Sequence, residues 1–334
     1  MTEKSDSYVS GIADAPLLGD TIGRSLDSAA RRWADREALV SPSHGVRWTW
    51  KQLNERVDAL AAGLLALGLE RGARIGIWSL NRPEWTLTQF AAAKAGLVLV
   101  TINPAYRLSE LEFALAKVGC AAIVTATAFK TSSYMEMLNA LLPELAKASP
   151  GDLHAARLPQ LRCVIQIGGP AFPGTIPFEA VAGMGGARHH AALATLGDTL
   201  QFDDPVNIQF TSGTTGSPKG VTLTHHNILN NGYFVGRAMR LTENDRICIP
   251  VPLYHCFGMV MGNLASVTSG ATMVYPGEGF DPLATLQTVE REKCTTLYGV
   301  PTMFIAELDH PEFSGFDLAS LRTGIMPVRP ARSR

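Results

Sequence analysis

No run of about 18 uninterrupted apolar residues occurs in the chain, so a membrane span is not expected. Neither charge sign is in excess: 29 Lys and Arg face 30 Asp and Glu, for a net charge of −1. A nucleic-acid partner, which a basic surplus would announce, is therefore not expected. Five cysteines (Cys120, Cys163, Cys248, Cys256 and Cys294) form no C-x-x-C pair. An odd, unpatterned set reads as buried thiols in a reducing compartment. The first residues, Met1 to Asp6, lack the apolar stretch of a signal peptide, and together these features lead to an expected cytoplasmic location. No repeat of solenoid period is present. The glycine cluster Gly183–Gly186 has Arg188 where a dinucleotide fingerprint needs its last glycine. His154, His189 and His190 show no metal-ligand spacing, and no metal site is expected among them.

What is present describes a globular chain. Its 334 residues are 46% hydrophobic and 18% charged, enough for a large core and about two domains. Short apolar runs alternate with helical patterns. Arg74–Trp78, Leu97–Val100, Ala121–Val124, Cys163–Ile167, Arg246–Ile249, Ala271–Tyr275 and Thr295–Tyr298 read as strands. Between them, Thr49 with Gln52, and Ser109 with Glu112, form capping-box patterns, and Asp281-Pro282 opens a further helix. A helix is predicted over Tyr134–Lys147, and residues 148–160 and 168–199 read as connections. Unbroken apolar strands between helices predict an α/β fold with helix-flanked, mainly parallel sheets.

The most informative stretch is Thr211-Ser212-Gly213-Thr214-Thr215-Gly216-Ser217-Pro218-Lys219-Gly220. It holds five hydroxyls, three glycines, one lysine and no acid. Val206–Phe210 leads in as a strand and Val221–Thr224 leads out as another, so the loop is predicted at the tip of a hairpin. Glycines free successive N–H groups to converge on one anion, hydroxyls add donors, and Lys219 adds a compact positive charge. That chemistry suits nucleotide phosphates. A Walker loop fails on spacing. From Gly213, Pro218 occupies the second glycine position, and Gly220 follows Lys219 in place of Ser or Thr.

A second constellation, Pro252-Leu253-Tyr254-His255-Cys256-Phe257-Gly258, follows a strand end and opens a helix. Ligands gather at such ends in open parallel sheets. On its residues alone it reads equally as a pocket wall with a histidine donor or as a core aromatic cluster with a hydrogen-bonded histidine. Cys256 reads as a buried structural thiol, with no general base identifiable nearby.

The decapeptide and its flanks resemble the signature loop of the adenylate-forming (AMP-binding) superfamily, and the resemblance covers most of residues 20–326. The stretch Pro252–Met261, the turn Tyr275-Pro276-Gly277-Glu278 and Leu297–Glu307 resemble acyl-CoA synthetases of medium-chain fatty-acid type. This likeness implies a ligase that joins fatty acid to CoA with ATP and Mg2+, through acyl-AMP. It assigns Thr211 to Ser217, Lys219 and Gly220 to the phosphates. Tyr254, His255, Phe257, Gly299, Thr323 and Gly324 are assigned to the acyl and adenylate pocket. His225-His226 is read as structural support.

The likeness also predicts a leader at 1–20 and an AMP-binding domain over 21–326, in subdomains of about 21–200 and 201–326. After Met326 the sequence Pro327-Val328-Arg329-Pro330 departs from the family pattern, so residues 327–334 are read as a non-family tail. The domain is expected to be incomplete at the C-terminus, without the family's magnesium carboxylate and catalytic lysine. Full activity is not expected of such a chain; the alternative is a non-catalytic phosphate- or acyl-binding fragment.

Overall fold

The computed structural model describes residues 15–211 and 218–327. Its strands, in chain order, are β1 (Glu37–Ser41), β2 (Val46–Thr49), β3 (Arg74–Trp78), β4 (Val98–Thr101) and β5 (Cys120–Thr125). They continue as β6 (Ala128–Phe129), β7 (Ser132–Ser133), β8 (Cys163–Gln166), β9 (Ile176–Pro177), β10 (Pro205–Thr211) and β11 (Lys219–Thr224). The last four are β12 (Arg246–Cys248), β13 (Thr272–Val274), β14 (Thr296–Tyr298) and β15 (Thr323–Ile325). Seven strands form one sheet in the order β11-β10-β4-β3-β5-β8-β9, and six form another, β15-β14-β12-β13-β1-β2. All neighbours in these two sheets run parallel except the hairpins β10–β11 and β1–β2.

The period of two along each strand decides which core a residue joins. Leu99, Val124 and Ile165 enter one apolar cluster, whereas their neighbours Val98, Val100, Ile123 and Val164 enter another on the opposite face. The first cluster also takes Leu39, Ile247 and Met273 from the second sheet, so it fills the space between the sheets. Val40, Cys248 and Val274 face the far side, under the helix Pro282–Arg291. The helix Pro83–Lys94 lies in the shared middle layer and is buried on nearly every side. That is why its apolar residues show no stripe.

Polar groups in the middle layer pair with one another. Tyr275 Oη donates to Asn263 Oδ1 (2.7 Å) and lies 2.7 Å from Thr86 Oγ1, while Asn263 Nδ2 donates to Gln89 Oε1 (2.8 Å). The buried Lys94 ammonium meets Asp27, Asp58 and Asn54 Oδ1.

Several local expectations hold at the residue level. Thr49 accepts from Gln52 N (3.2 Å) and Gln52 Oε1 accepts from Thr49 N (3.1 Å). Asp281 Oδ1 accepts from Ala284 N (2.7 Å). Others shift. The helix predicted to be capped by Ser109 is instead capped two residues earlier, by Arg107, and runs Leu108–Val118, with Glu110 Oε2 accepting from Arg107 N (2.8 Å). Glu112 is drawn away to Arg157 Nε (2.9 Å). The helix predicted over Tyr134–Lys147 stops at Leu141, because Pro143 forces the preceding residue out of the helical region.

Residues 168–199, expected to be connections, hold the helices Phe178–Met184 and Ala187–Thr199. The first lies against the helix Trp50–Ala66, where Gly63 has no room for a Cβ: one would sit 2.0 Å from the carbonyl oxygen of Val181. A division near residue 200 does not separate the sheets. β1 and β2 belong with the later strands, and β10 and β11 complete the earlier sheet.

Candidate active site

The predicted hairpin is present. β10 and β11 run antiparallel, with Phe210 opposite Gly220 and Thr211 opposite Lys219. Thr211, Lys219 and Gly220 are exposed where the loop leaves the sheet. Ser212, Gly213, Thr214, Thr215, Gly216 and Ser217 lie outside the described residues. Because β10 is parallel to β4, the loop emerges at the C-terminal ends of the parallel strands.

The second constellation follows β12 and approaches the same edge. It opens as a π-helix, Phe257–Leu264, a form often found at functional sites. Two amides grip the chain before it. Asn81 Nδ2 donates to Val251 O (2.9 Å), and Leu253 N donates to Asn81 Oδ1 (2.8 Å). Gln209, two residues before the loop, donates from Nε2 to Tyr254 O (2.8 Å). The two constellations are thereby joined directly.

Within the segment, His255 is exposed and its Nδ1 accepts from Phe257 N (3.1 Å), which leaves Nε2 to carry the proton outward. Partial desolvation lowers its pKa from the usual histidine value. Cys256 Sγ lies 3.6 Å from the same Nδ1, a base not evident from the sequence. Burial raises the thiol pKa, so both partners favour their neutral forms and Cys256 is not an activated nucleophile. Burial also raises the pKa of Tyr254.

Phe257 is buried and stacks on Tyr298, with centroids 5.5 Å apart, and Tyr298 Oη donates to Met261 O (2.9 Å). Gly299 N donates to Ile325 O (3.1 Å) at the C-terminal end of the β14–β15 pair, whereas Thr323 and Gly324 lie further back along the strands, opposite Thr296 and Leu297. At Gly324 a Cβ would lie 2.4 Å from Leu297 O, so only glycine fits this pairing.

A cavity of about 210 Å³ borders the segment, lined in part by Asn81, Asn103, Phe129, Tyr254, Glu278 and Met303. Tyr254 reaches it; His255 and Phe257 are not in its lining. Glu278 sits there between His44 Nε2 (3.4 Å) and an Arg82 guanidinium nitrogen (3.1 Å). The His44 hydrogen bond, with Arg82 beside it, holds its carboxyl below the usual range. Among the described residues no three His, Cys, Asp or Glu converge as metal ligands. His189 Nδ1 instead accepts from Gly186 N (3.1 Å), and His154 Nε2 lies 3.1 Å from Asp152 Oδ1.

His225 is buried and its Nδ1 accepts from Ile22 N (3.1 Å), which is the structural support expected of it. Burial pushes its pKa down to about 4. Sequence reasoning did not single out Asn81 or Gln209. The available signals were a polar residue in the β10 alternation and an asparagine in the short turn after β3.

Against this geometry, a profile for a family described as AMP-binding enzyme matches residues 26–333. The chain belongs to that family. It is 48% identical over 326 residues to the medium-chain acyl-CoA ligase ACSF2, mitochondrial, of Danio rerio, covering 97% of this chain and 54% of the relative. The Homo sapiens protein of the same name is 43% identical over 336 residues, again with 97% and 54% covered. The chain thus spans about half the length of the curated relatives it matches. Among solved structures, the anthranilate CoA ligase AuaEII with anthranoyl-AMP matches with a TM-score of 0.78 at 23% identity, covering 94% of this chain and 56% of that one. The N-terminal domain of FACL13 from Mycobacterium tuberculosis matches at 0.72 and 25% identity, covering 92% and 69%. These likenesses agree with the helix-flanked, mainly parallel α/β architecture.

Proposed function

We propose that the chain carries the ATP- and acid-binding part of a medium-chain fatty-acid–CoA ligase. The observation that carries this reading is the hydrogen bond from Gln209 to Tyr254, which joins the Thr211–Gly220 hairpin to the aromatic segment in a chain of the AMP-binding family. In the proposed reaction a fatty carboxylate attacks the α-phosphorus of ATP, forming the P–O bond of acyl-AMP and releasing pyrophosphate. The CoA thiol then attacks the acyl carbon, its proton leaves, and AMP departs.

In this reading the N–H and hydroxyl groups from Thr211 to Ser217, with Gly220, cradle the phosphates, and the Lys219 ammonium opposes their charge. Tyr254 and Phe257 supply apolar wall, and His255 Nε2–H donates to an adenylate or acyl oxygen. Gly299, Thr323 and Gly324 border the same pocket. Magnesium requires oxygen ligands, and the carboxylate lining the cavity, Glu278, is committed to Arg82 and His44. The residues lining this cavity therefore do not fit the ion.

A second reading is a chain that binds phosphate or acid without turnover; it is favoured by Glu278, whose carboxylate is committed to Arg82 and His44. The cytoplasmic location remains a proposal resting on the cysteine pattern, and the named vertebrate relatives are mitochondrial. No helix among the described residues is long and apolar enough to cross a membrane.

Calorimetric titration with ATP tests the phosphate site. Lys219→Ala is expected to weaken binding by about 1–3 kcal/mol, the scale of a charge-assisted hydrogen bond. Equal titrations for both proteins would remove the role given to Lys219. Pyrophosphate and thioester assays with ATP, magnesium, CoA and fatty acids separate the two readings: sustained turnover supports the ligase and excludes the second.

A further inference from the structure

We infer that a groove on the flank of the fold binds an organic cation with an apolar body, of the alkylamine class. The inference does not rest on the ligase reading. The groove lies between β2, the helices Trp50–Ala66 and Phe178–Met184, and the first turn of the helix Pro83–Lys94. Its volume is about 740 Å³, against about 210 Å³ for the cavity beside Tyr254. Small-molecule sites commonly span about 300–1,000 Å³.

Local periodicity builds this groove. On β2, Val46 and Trp48 face it, while Arg47 between them turns away to Glu37 and Glu292. Glu55, Arg56, Ala59 and Leu60 share one face of the helix Trp50–Ala66, and Phe178 and Ala182 stand one turn apart on the helix packed against it. The floor is apolar, since Leu60, Leu87 and Phe178 are buried and Trp48 is half-buried.

Charge selects the occupant. Three carboxylates line the groove, Glu55, Glu84 and Glu179, against two guanidiniums, Arg56 and Arg82. Both guanidiniums are already engaged. Arg82 lies 3.4 Å from Glu84 and 3.1 Å from Glu278, and Arg56 sits over the Trp48 ring, 4.9 Å from its centroid. His44, on the same wall, meets Glu278 (3.4 Å), which adds a further carboxylate behind it. Among the described residues Glu55 and Glu179 form no salt bridge, and both are exposed at the mouth. An apolar floor below these acids attracts an ammonium that carries an alkyl chain and repels a carboxylate of equal length.

The test titrates the full chain at low ionic strength and follows the Trp48 indole N–H signal, assigned with Trp48→Phe. Octylammonium, below its micellar concentration, is expected to shift that signal saturably, with octanoate binding about tenfold more weakly. Methylammonium has the charge without the apolar body and should leave the signal unmoved at the same concentrations. In the double variant Glu55→Gln with Glu179→Gln, which changes two exposed side chains and leaves the floor intact, the preference should fall to about twofold. Either single variant gives the same comparison at smaller size if the double variant loses its folded spectrum. A Trp48 signal that octylammonium never moves overturns the inference. So does octanoate binding as tightly as octylammonium, a shift of equal size with methylammonium, or an undiminished preference in the variants. Because the readout sits in the groove, octylammonium bound in the cavity beside Tyr254 does not count in its favour.

Discussion

Two buried titratable side chains make stability depend on pH in opposite directions. His225 takes the Ile22 N–H on Nδ1, and burial pushes its pKa down to about 4 from an ordinary 6.5. A depressed folded pKa means that the contribution is complete above pH 6.5 and is lost as pH falls toward 4. The loss is about 3 kcal/mol at most, since a tenfold change in proton affinity is worth about 1.4 kcal/mol. Urea midpoints measured between pH 7 and pH 4 should fall in the unsubstituted protein and fall less in His225→Gln. Parallel curves would exclude His225 as the source.

Glu307 is the converse case. It is 3% exposed, its Oε1 has no partner among the described residues, and burial pushes its pKa up to about 7. A raised folded pKa in an acid favours the protonated form. Its contribution is present below the unfolded value of 4.5 and is lost as pH rises through 7. Glu307→Gln removes that ionisation and should stabilise the protein by about 1–3 kcal/mol at pH 8, with little effect at pH 4.5. Denaturation midpoints at the two pH values check this, and an equal change at both would point to packing instead.

At the scale of elements, a buried polar network joins the helix Pro83–Lys94, the π-helix and Tyr275 at the end of β13. Tyr275→Phe keeps the ring and removes the hydroxyl that meets both Thr86 and Asn263. Two buried groups lose a partner, so a cost of about 1–3 kcal/mol is expected. Thermal melting reads it. Because Asn263 belongs to the same π-helix as Phe257, the variant should also change ligand affinity more than an equally destabilising change in the remote pair Arg47–Glu292. That pair belongs to a four-membered ring with Glu37 and Arg246, which ties β1, β2 and β12 at their opposite end.

Across the whole molecule, Ile305 is 56% exposed and Leu308 61%, three positions apart on the helix Pro301–Leu308. Exposed apolar side chains on one helix face favour association between copies. Light scattering across a concentration series should show growing particles, and Ile305→Lys with Leu308→Lys should suppress them without lowering the melting temperature. Association that ignores both lysines would place the contact elsewhere.

Local chemistry was sufficient for much of this protein. Thr49 with Gln52, Asp281 with Pro282 and the apolar runs of the parallel strands act within a few residues, so their helices and strands were legible from neighbouring side chains alone. The hairpin around Thr211–Gly220 was legible for the same reason, because alternation on both sides of a glycine-rich tip specifies a turn. Alanine-rich helices at 178–199 were not, since glycine and proline nearby masked segments that form where the helix Trp50–Ala66 receives them. Sheet order was also beyond local reading. Whether β1 lies beside β13 or β3 depends on which apolar faces meet once both sheets exist. The Gln209–Tyr254 and Asn81–Val251 bonds, and the buried Glu307, arise only from juxtaposition across long separations. Hydrogen bonding and desolvation depend on distance in space, and there the tertiary fold alone decides.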